Sequence, residues 1–551
     1  MKDTGMKAAE LFVKCLEAEG VEYVFGVPGE ENLAFLEALR TSKITFVTTR
    51  HEQGAVFMAA TFGRLSGKAG VALSTLGPGA TNLVTGVAFA QLGGMPLLVI
   101  TGQKPIKRSK QGKFQIIDVV SMMQPITKLS ETIVSGERIP SLVRQAIKVA
   151  EAERPGAVHL EFPEDIAEEI VTASPIVPEK IRRPAPDQKS IAQAVEIIER
   201  SRHPIIIIAA GANRKLIRKQ LKEFLAKTGI PFATTQMGKG VEDESSDLFL
   251  GTTALSSGDY VHRALEAADT VIMLGHDIAE KPPIILTPET HTVLHINFSP
   301  ADIDDIYIPT LEVIGDVSHA LWAMTEQIRP QAHWNFDYFF KAQKALRANI
   351  EAHAQASDFP LKPERIIADL RSLMPNDGML SLDNGMYKIW LARNYPAYEQ
   401  NSVLLDNALA TMGAGLPSGI AAKLIYPERK VVVIAGDGGF MMNVAELETA
   451  IRLKIDLVVL ILCDGEYGMI RWKQKDMDLA DYGLGFGNPD FVRLAESFGA
   501  VGHRIESADD FKKTLARALA GSGVHVIECP IDYSHTNRAL GEDLREALDH
   551  I

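Results

Sequence analysis

The stretch Lys430-Val431-Val432-Val433-Ile434-Ala435-Gly436-Asp437-Gly438-Gly439 decides how the rest of the chain is read. Residues 430–435 form a very apolar, β-branched run, which predicts a strand covered on both faces. The run ends on a glycine turn, and a helix is predicted soon after, over 443–454. A strand, a glycine turn and a helix N-terminus make an anion site, because free backbone N–H groups and the helix dipole favour phosphate there. The glycines let backbone approach a ligand closely. An aspartate in such a turn repels phosphate unless a divalent cation bridges the two. A second carboxylate, Asp464, ends the next predicted strand (456–463), 27 residues further on. Adjacent parallel strands bring both carboxylates to one sheet edge. Hard oxygen ligands together with phosphate suit octahedral Mg²⁺. Alone, either aspartate could equally be a turn or cap residue; the ordered pair is what carries the metal reading.

The same grammar extends towards both ends. The first third predicts strands at 23–27, 44–48, 70–75 and 96–101, with a small-residue helix over 53–66. The middle third restarts with a buried strand at 204–209, a helix over 214–227 and strands at 270–274 and 292–296. The last third adds a strand at 378–381. Continuous apolar strands separated by helices imply parallel sheets covered on both faces. A proline-rich linker over 171–189 (Pro175, Pro178, Pro184, Pro186) and a partly helical break over 329–363 divide the chain. The economical reading is α/β: three domains of parallel sheets covered by helices, over 1–170, 190–330 and 360–540.

The chain has 551 residues, 46% apolar and 23% charged, close to the globular average. With 57 Lys+Arg against 70 Asp+Glu, its formal net charge is −13, so no nucleic-acid partner is expected. Cys15, Cys463 and Cys529 form no CxxC pair, which argues against a disulfide framework or a cysteine zinc site and fits a reducing cytoplasm. No membrane association is expected, because the longest apolar runs fall far short of the ~20 residues of a span. The N-terminus reads as an amphipathic helix, with Ala8, Leu11, Phe12, Cys15 and Leu16 on one face, rather than as a signal peptide.

Gly436-Asp437-Gly438 followed by Cys463-Asp464 resembles the thiamine-diphosphate motif, GDG and then a distant Asn-Asn pair. Asp464 stands where Asn is usual and keeps an oxygen ligand. This substitution resembles the catabolic, FAD-independent acetolactate synthases. The resemblance runs on through Phe25-Gly26-Val27-Pro28-Gly29, Arg50-His51-Glu52, Gly77-Pro78-Gly79-Ala80-Thr81-Asn82, Thr101-Gly102-Gln103, Phe114-Gln115, Asp383-Asn384-Gly385 and Met412-Gly413-Ala414-Gly415. It implies a thiamine-diphosphate-binding fold used twice, flanking a Rossmann-like central domain. The first domain would bind the pyrimidine and the third the diphosphate and Mg²⁺. Active sites would lie between subunits of a homodimer or homotetramer.

The resemblance also implies roles. Glu52 would be the catalytic carboxylate, bonded to N1′ of the aminopyrimidine; by position alone it is equally a first-turn glutamate stabilised by the helix dipole. Met412 would hold the cofactor bent, and the backbone at Ala410 and Met412 would bond its pyrimidine edge. Pro28 would also touch the cofactor. Gly385, Met386 and Tyr387 would meet the diphosphate with Gly436, Asp437, Gly438 and Gly439. Asp437, Asp464 and the backbone carbonyl of Glu466 would ligate Mg²⁺, and Tyr467, Gly468 and Met469 would complete that loop. Gln103, Phe114 and Gln115 would close the pocket over substrate, with Lys128 at its side. The tryptophan that favours 2-oxobutyrate in biosynthetic synthases falls on Lys473, one residue after Trp472. The central domain lacks the glycine-rich stretches of FAD-binding synthases, so FAD is not expected. The implied reaction joins the two-carbon unit of a 2-oxo acid such as pyruvate to a second carbonyl, giving 2-acetolactate. The alternatives are a 2-oxo acid decarboxylase, an aldehyde lyase, a sulfoacetaldehyde acetyltransferase, or a catalytically silent relative. The Pro28-Gly29-Glu30-Glu31-Asn32 turn, with no small residues at Glu30 and Glu31, leaves room for another donor or acceptor.

Overall fold

The computed structural model describes residues 5–107, 112–179, 183–214, 217–253, 261–277, 279–280, 282–536, 538–542 and 546. They form three six-stranded sheets, in which every pairing is parallel, and one short antiparallel pair, Met6–Lys7 with Ile170–Val171. The first sheet takes Tyr23–Gly26, Thr45–Thr48, Gly70–Ser74, Leu97–Gln103, Leu129–Thr132 and Ala157–Pro163. The third takes Met379–Leu382, Val403–Leu404, Val431–Gly436, Leu457–Cys463, Val501–Arg504 and Val524–Pro530. Counted along the chain, both sheets have the order 2-1-3-4-6-5. The central sheet takes Pro204–Ile208, Phe232–Thr234, Phe249–Thr252, Thr270–Leu274, Thr292–Asn297 and Leu311–Ile314. Its order is 3-2-1-4-5-6, that of a Rossmann fold. One topology thus occurs twice, on either side of another, as the resemblance implies.

The inner strands are buried along their length, which is why they read as unbroken apolar runs: Gly70–Ser74, Leu97–Gln103 and Pro204–Ile208 have no exposed position. The edge strand Leu129–Thr132 is only half-buried throughout. The helix predicted over 214–227 corresponds to Arg218–Thr228, and a separate short helix, Ala210–Asn213, precedes it; residues 215–216 lie outside the described set. The helix predicted over 443–454 is shorter, Glu446–Arg452. No helix among the described residues is long and apolar enough to cross a membrane.

Chain contacts gather two compact units. The first holds Met1–Ile181, Ala408–Pro427 and Met442–Ile455; the second holds Arg182–Asn407, Glu428–Met441 and Asp456–Ile551. The first unit is organised around the helix Glu52–Ser66, which is buried at Glu52 and from Gly54 to Gly63. Its small residues allow close approach on several sides. A Cβ on Gly63 would lie 2.1 Å from the Pro96 carbonyl, and one on Gly86 would lie 2.5 Å from the Val56 Cβ. Helix Gly415–Ile425 packs on another side, where the Thr61 hydroxyl donates to Ser418 Oγ at 2.9 Å. This burial draws a segment distant in sequence into the first unit.

Candidate active site

In a parallel sheet the loops after the strands share one edge, and that edge is where ligands bind. In the first unit the strand Thr45–Thr48 turns there into helix Glu52–Ser66. His51 caps the helix, its Nδ1 accepting the Gln53 N–H at 3.1 Å. Glu52 therefore starts the helix, 8% exposed, with its Oε2 accepting from Asn82 Nδ2 at 2.9 Å. The Gly77-Pro78-Gly79 turn runs alongside. A Cβ on Gly79 would sit 3.3 Å from Glu52 Oε1, and one on Gly77, whose φ is +54°, would sit 2.8 Å from the Gln115 carbonyl. The turn thus brings Gln115 towards Glu52. Gln115 has a left-handed φ of +58°, and its neighbour Phe114 is 71% exposed. Pro28 is exposed in the loop after Tyr23–Gly26, at the same edge. Gly29 beside it would clash with Thr75 if it carried a Cβ, and the Thr75 hydroxyl donates to Glu31. Glu31 also pairs with Lys104 at 2.6 Å, its carboxylate held below its ordinary range by these donors against the opposing effect of burial.

Two further expected pocket residues are held by other contacts. Lys128 immediately precedes Leu129–Thr132, so it sits at the opposite edge of the sheet from Glu52. There its ammonium donates to the carbonyls of Ala152 (2.9 Å) and Arg154 (2.7 Å). Gln103 ends its strand at the correct edge, but its side chain is buried. Its Nε2 donates to Glu161 at 2.8 Å and its Oε1 accepts the Lys104 N–H at 2.9 Å, leaving it committed within the sheet.

The loop carrying Ala410 and Met412 belongs to the same unit. Ala410 has a φ of +53°, a conformation an L-residue holds only when its surroundings enforce it. Gly413 follows at φ +87°, and Asn443 Nδ2 donates to its carbonyl at 2.8 Å while reaching Gln53 Oε1 at 3.4 Å. Asn443 thus ties the Met412 turn to the start of the Glu52 helix.

In the second unit Gly436 lies opposite Leu462, so the tips of the two central strands meet. Asp437 is 1% exposed. Its Oδ1 accepts from the Gly438 N–H at 2.9 Å, and its Oδ2 from the Gly465 N–H and Asn488 Nδ2, both at 2.8 Å. Burial first, and then the charges of Asp437 and Glu466, push Asp464 up to about 7. Burial and like charge both disfavour the ionised form of Asp464, and a bound cation would offset both. The Glu466 side chain pairs with Arg471 at 2.5 Å, and its backbone carbonyl accepts the Gly468 N–H at 3.0 Å. No cluster of three or more His, Cys, Asp or Glu side chains suited to a metal occurs among the described residues.

The glycines of this edge are sites of close approach. A Cβ on Gly439 would lie 2.5 Å from Asp383 Oδ2, one on Gly468 2.5 Å from Asp464 Oδ2, and one on Gly438 3.0 Å from the Tyr467 ring. The Tyr387 ring packs on Gly385 and Gly436, and burial raises its phenol well above the usual range. A cavity of about 600 Å³ opens beside this cluster, lined by Met386, Asp464, Glu466, Gly468, Trp472 and Tyr533. Trp472 faces it, whereas Lys473 lays its ammonium over the Trp472 ring at 4.4 Å. Met469 packs partly buried against the adjoining core. Sequence reasoning missed Asn488, which acts from a distant loop, and Lys388. The latter is buried, bonded to Asn384 Oδ1 at 2.7 Å, and lowered to about 8 by burial.

Three family domains match the chain in order: the thiamine pyrophosphate enzyme N-terminal TPP-binding domain over residues 6–122, the central domain over 191–324 and the C-terminal TPP-binding domain over 383–529. The chain is 33% identical to the catabolic acetolactate synthase of Raoultella terrigena, over 97% of its own length and 96% of that protein's. It is also 33% identical to an acetolactate synthase of Bacillus subtilis, covering 96% and 94% of the two chains. With YdaP of the same organism, a putative thiamine pyrophosphate-containing protein, it shares 31% identity over 95% and 91%. With these matches spanning its length, and with both strand-tip carboxylates and the helix-starting glutamate in place, the chain belongs to the thiamine pyrophosphate enzyme family.

Proposed function

We propose that the protein is a thiamine-diphosphate- and Mg²⁺-dependent carboligase. It decarboxylates pyruvate or a related 2-oxo acid and joins the two-carbon unit to a second carbonyl, giving 2-acetolactate when the acceptor is pyruvate. The domains would be 1–170 for the pyrimidine, 190–330 as the centre, and 360–540 for the diphosphate and Mg²⁺. The observation that carries the reading is the placement of Asp437 and Asp464 on adjacent strand tips, amid glycines that expose backbone.

The donor set fits the cofactor. Asp437, Asp464 and the Glu466 carbonyl offer hard oxygens and leave positions for diphosphate and water, the usual habit of Mg²⁺. The bound cofactor supplies the electron sink that stabilises a carbanion. Glu52, buried and oriented by Asn82, holds a proton at the pyrimidine N1′. Met412 and the strained Ala410 backbone orient the pyrimidine, and Gln115 and Phe114 cover the substrate. The active unit is a cytoplasmic homodimer or homotetramer working without FAD.

A second reading has one observation in its favour. The Glu31–Lys104 ion pair stands at the sheet edge beside Pro28, where synthases carry small residues. That charge suits another thiamine-diphosphate enzyme with a different donor or acceptor. Incubation with pyruvate, thiamine diphosphate and Mg²⁺ without FAD, followed by product identification, separates the two. Acetolactate supports the carboligase; acetaldehyde or no product refutes it.

A further inference from the structure

Glu446 has no place in the chemistry above, yet it is fully buried beside the start of the Glu52 helix. Its Oε1 accepts the backbone N–H of Arg50 and that of His51, both at 3.1 Å. Its Oε2 accepts the Thr449 hydroxyl at 2.6 Å. Gly54 makes room for it, since a Cβ there would lie 2.5 Å from Glu446 Oε1. Six residues on, the Arg452 guanidinium donates to the Thr48 carbonyl. Helix Glu446–Arg452 therefore grips residues 48–54 at three points, the turn from which Glu52 projects. A buried carboxylate is costly, and burial raises the Glu446 pKa. An apolar residue would fill the space at lower cost, so the arrangement makes sense as a clamp on two N–H groups that no strand or helix satisfies.

We propose that Glu446 is a positioning residue: by capping the Arg50 and His51 N–H groups it fixes the direction in which Glu52 leaves the turn. The inference rests on the reading of Glu52 as the catalytic carboxylate. The decisive property is the acceptor oxygen, not the charge. Glutamine keeps one carbonyl oxygen for both N–H groups, and the Thr449 hydroxyl can reverse to accept from its amide. Alanine removes both acceptors.

Two measurements test it. In the chain without cofactor, hydrogen–deuterium exchange of peptides spanning 48–56 should speed at least ~10-fold in Glu446→Ala and stay near the parent rate in Glu446→Gln, because opening of that turn controls exchange. In the loaded enzyme turning over pyruvate, Glu446→Ala should lower kcat by roughly 10- to 100-fold with KM and cofactor affinity within about threefold, while Glu446→Gln stays within about threefold. In a Glu52→Gln background, Glu446→Ala should cost less than about threefold more, since a residue acting through Glu52 has nothing left to position. Should the alanine variant fold poorly, Gly54→Ala pushes the carboxylate off the same N–H groups and should give the same exchange signature. Equal behaviour of the alanine and glutamine variants, unchanged exchange, or additive losses in the double variant would overturn the proposal. Full turnover by Glu52→Gln alone would instead refute the functional reading beneath it.

Discussion

Glu52 and Asp437 differ in what their carboxylates accept. Glu52 sits at the start of a buried helix and accepts from one amide donor, Asn82. Asp437 has both oxygens occupied by N–H donors, which fix its orientation. Glu52→Gln should retain cofactor binding and lower turnover by at least ~10²-fold, the scale of lost acid–base help; calorimetry alongside steady-state kinetics checks it, and near-normal turnover refutes the role. Asp437→Ala should weaken cofactor and Mg²⁺ binding together. Asp464→Asn keeps an oxygen ligand and should bind Mg²⁺ within roughly tenfold of the parent, whereas Asp464→Ala should lose it, because the metal requires the hard oxygen. Equal affinities in the two Asp464 variants would remove Asp464 from the metal site. These residues were legible in the sequence because each lies in a short contiguous motif. Their supports were not. Asn82 reaches Glu52 across 30 positions, Asn488 reaches Asp437 across 51, and Glu446 reaches Arg50 across 396. No local spacing encodes such contacts; only the closed fold makes them.

Among the elements, legibility follows burial only in part, since the buried strands Ala157–Pro163, Phe232–Thr234 and Val524–Pro530 were missed as well. The strands at 70–74, 97–103, 204–208 and 431–436 were predicted within about two residues, since both their faces are apolar. The strands Leu129–Thr132, Phe249–Thr252 and Val501–Arg504 were missed. They are short and half-exposed, so their side chains carry no continuous apolar run. The helix Glu52–Ser66 was visible as a small-residue stretch, and the structure supplies the reason for its composition. A Cβ on Gly70 would lie 1.9 Å from the Ala59 carbonyl, so helix and strand meet backbone to backbone. Gly70→Ala should therefore force the helix off the sheet and destabilise the protein by about 1–3 kcal/mol or more. Gly67→Ala, at φ +72° with nothing within 4 Å, carries backbone strain alone and should cost less. Denaturant unfolding of both variants checks this ordering, and equal losses would show that the contact is not rigid.

For the whole molecule, the 2-1-3-4-6-5 topology occurs in the first and the third sheet. Under the proposed function, two copies of the chain assemble with two-fold symmetry, each offering its pyrimidine-binding edge to the other's diphosphate-binding edge. Under the proposed function Glu52 and Asp437 of one active site then come from different subunits. A mixture of two inactive proteins tests this. In a dimer that pairs a Glu52→Gln chain with an Asp437→Ala chain, one site carries both lesions and the other carries neither. Random pairing of equal amounts makes half the dimers mixed, so about a quarter of all sites should be intact. Co-expression of the two variants, or their mixing after mild dissociation, should restore roughly that share of parental activity, although each alone is inactive. If Glu52 and Asp437 instead serve a site within one chain, every site keeps a lesion and the mixture stays dead, which would overturn the shared-site assembly while leaving the chemistry of each residue untouched.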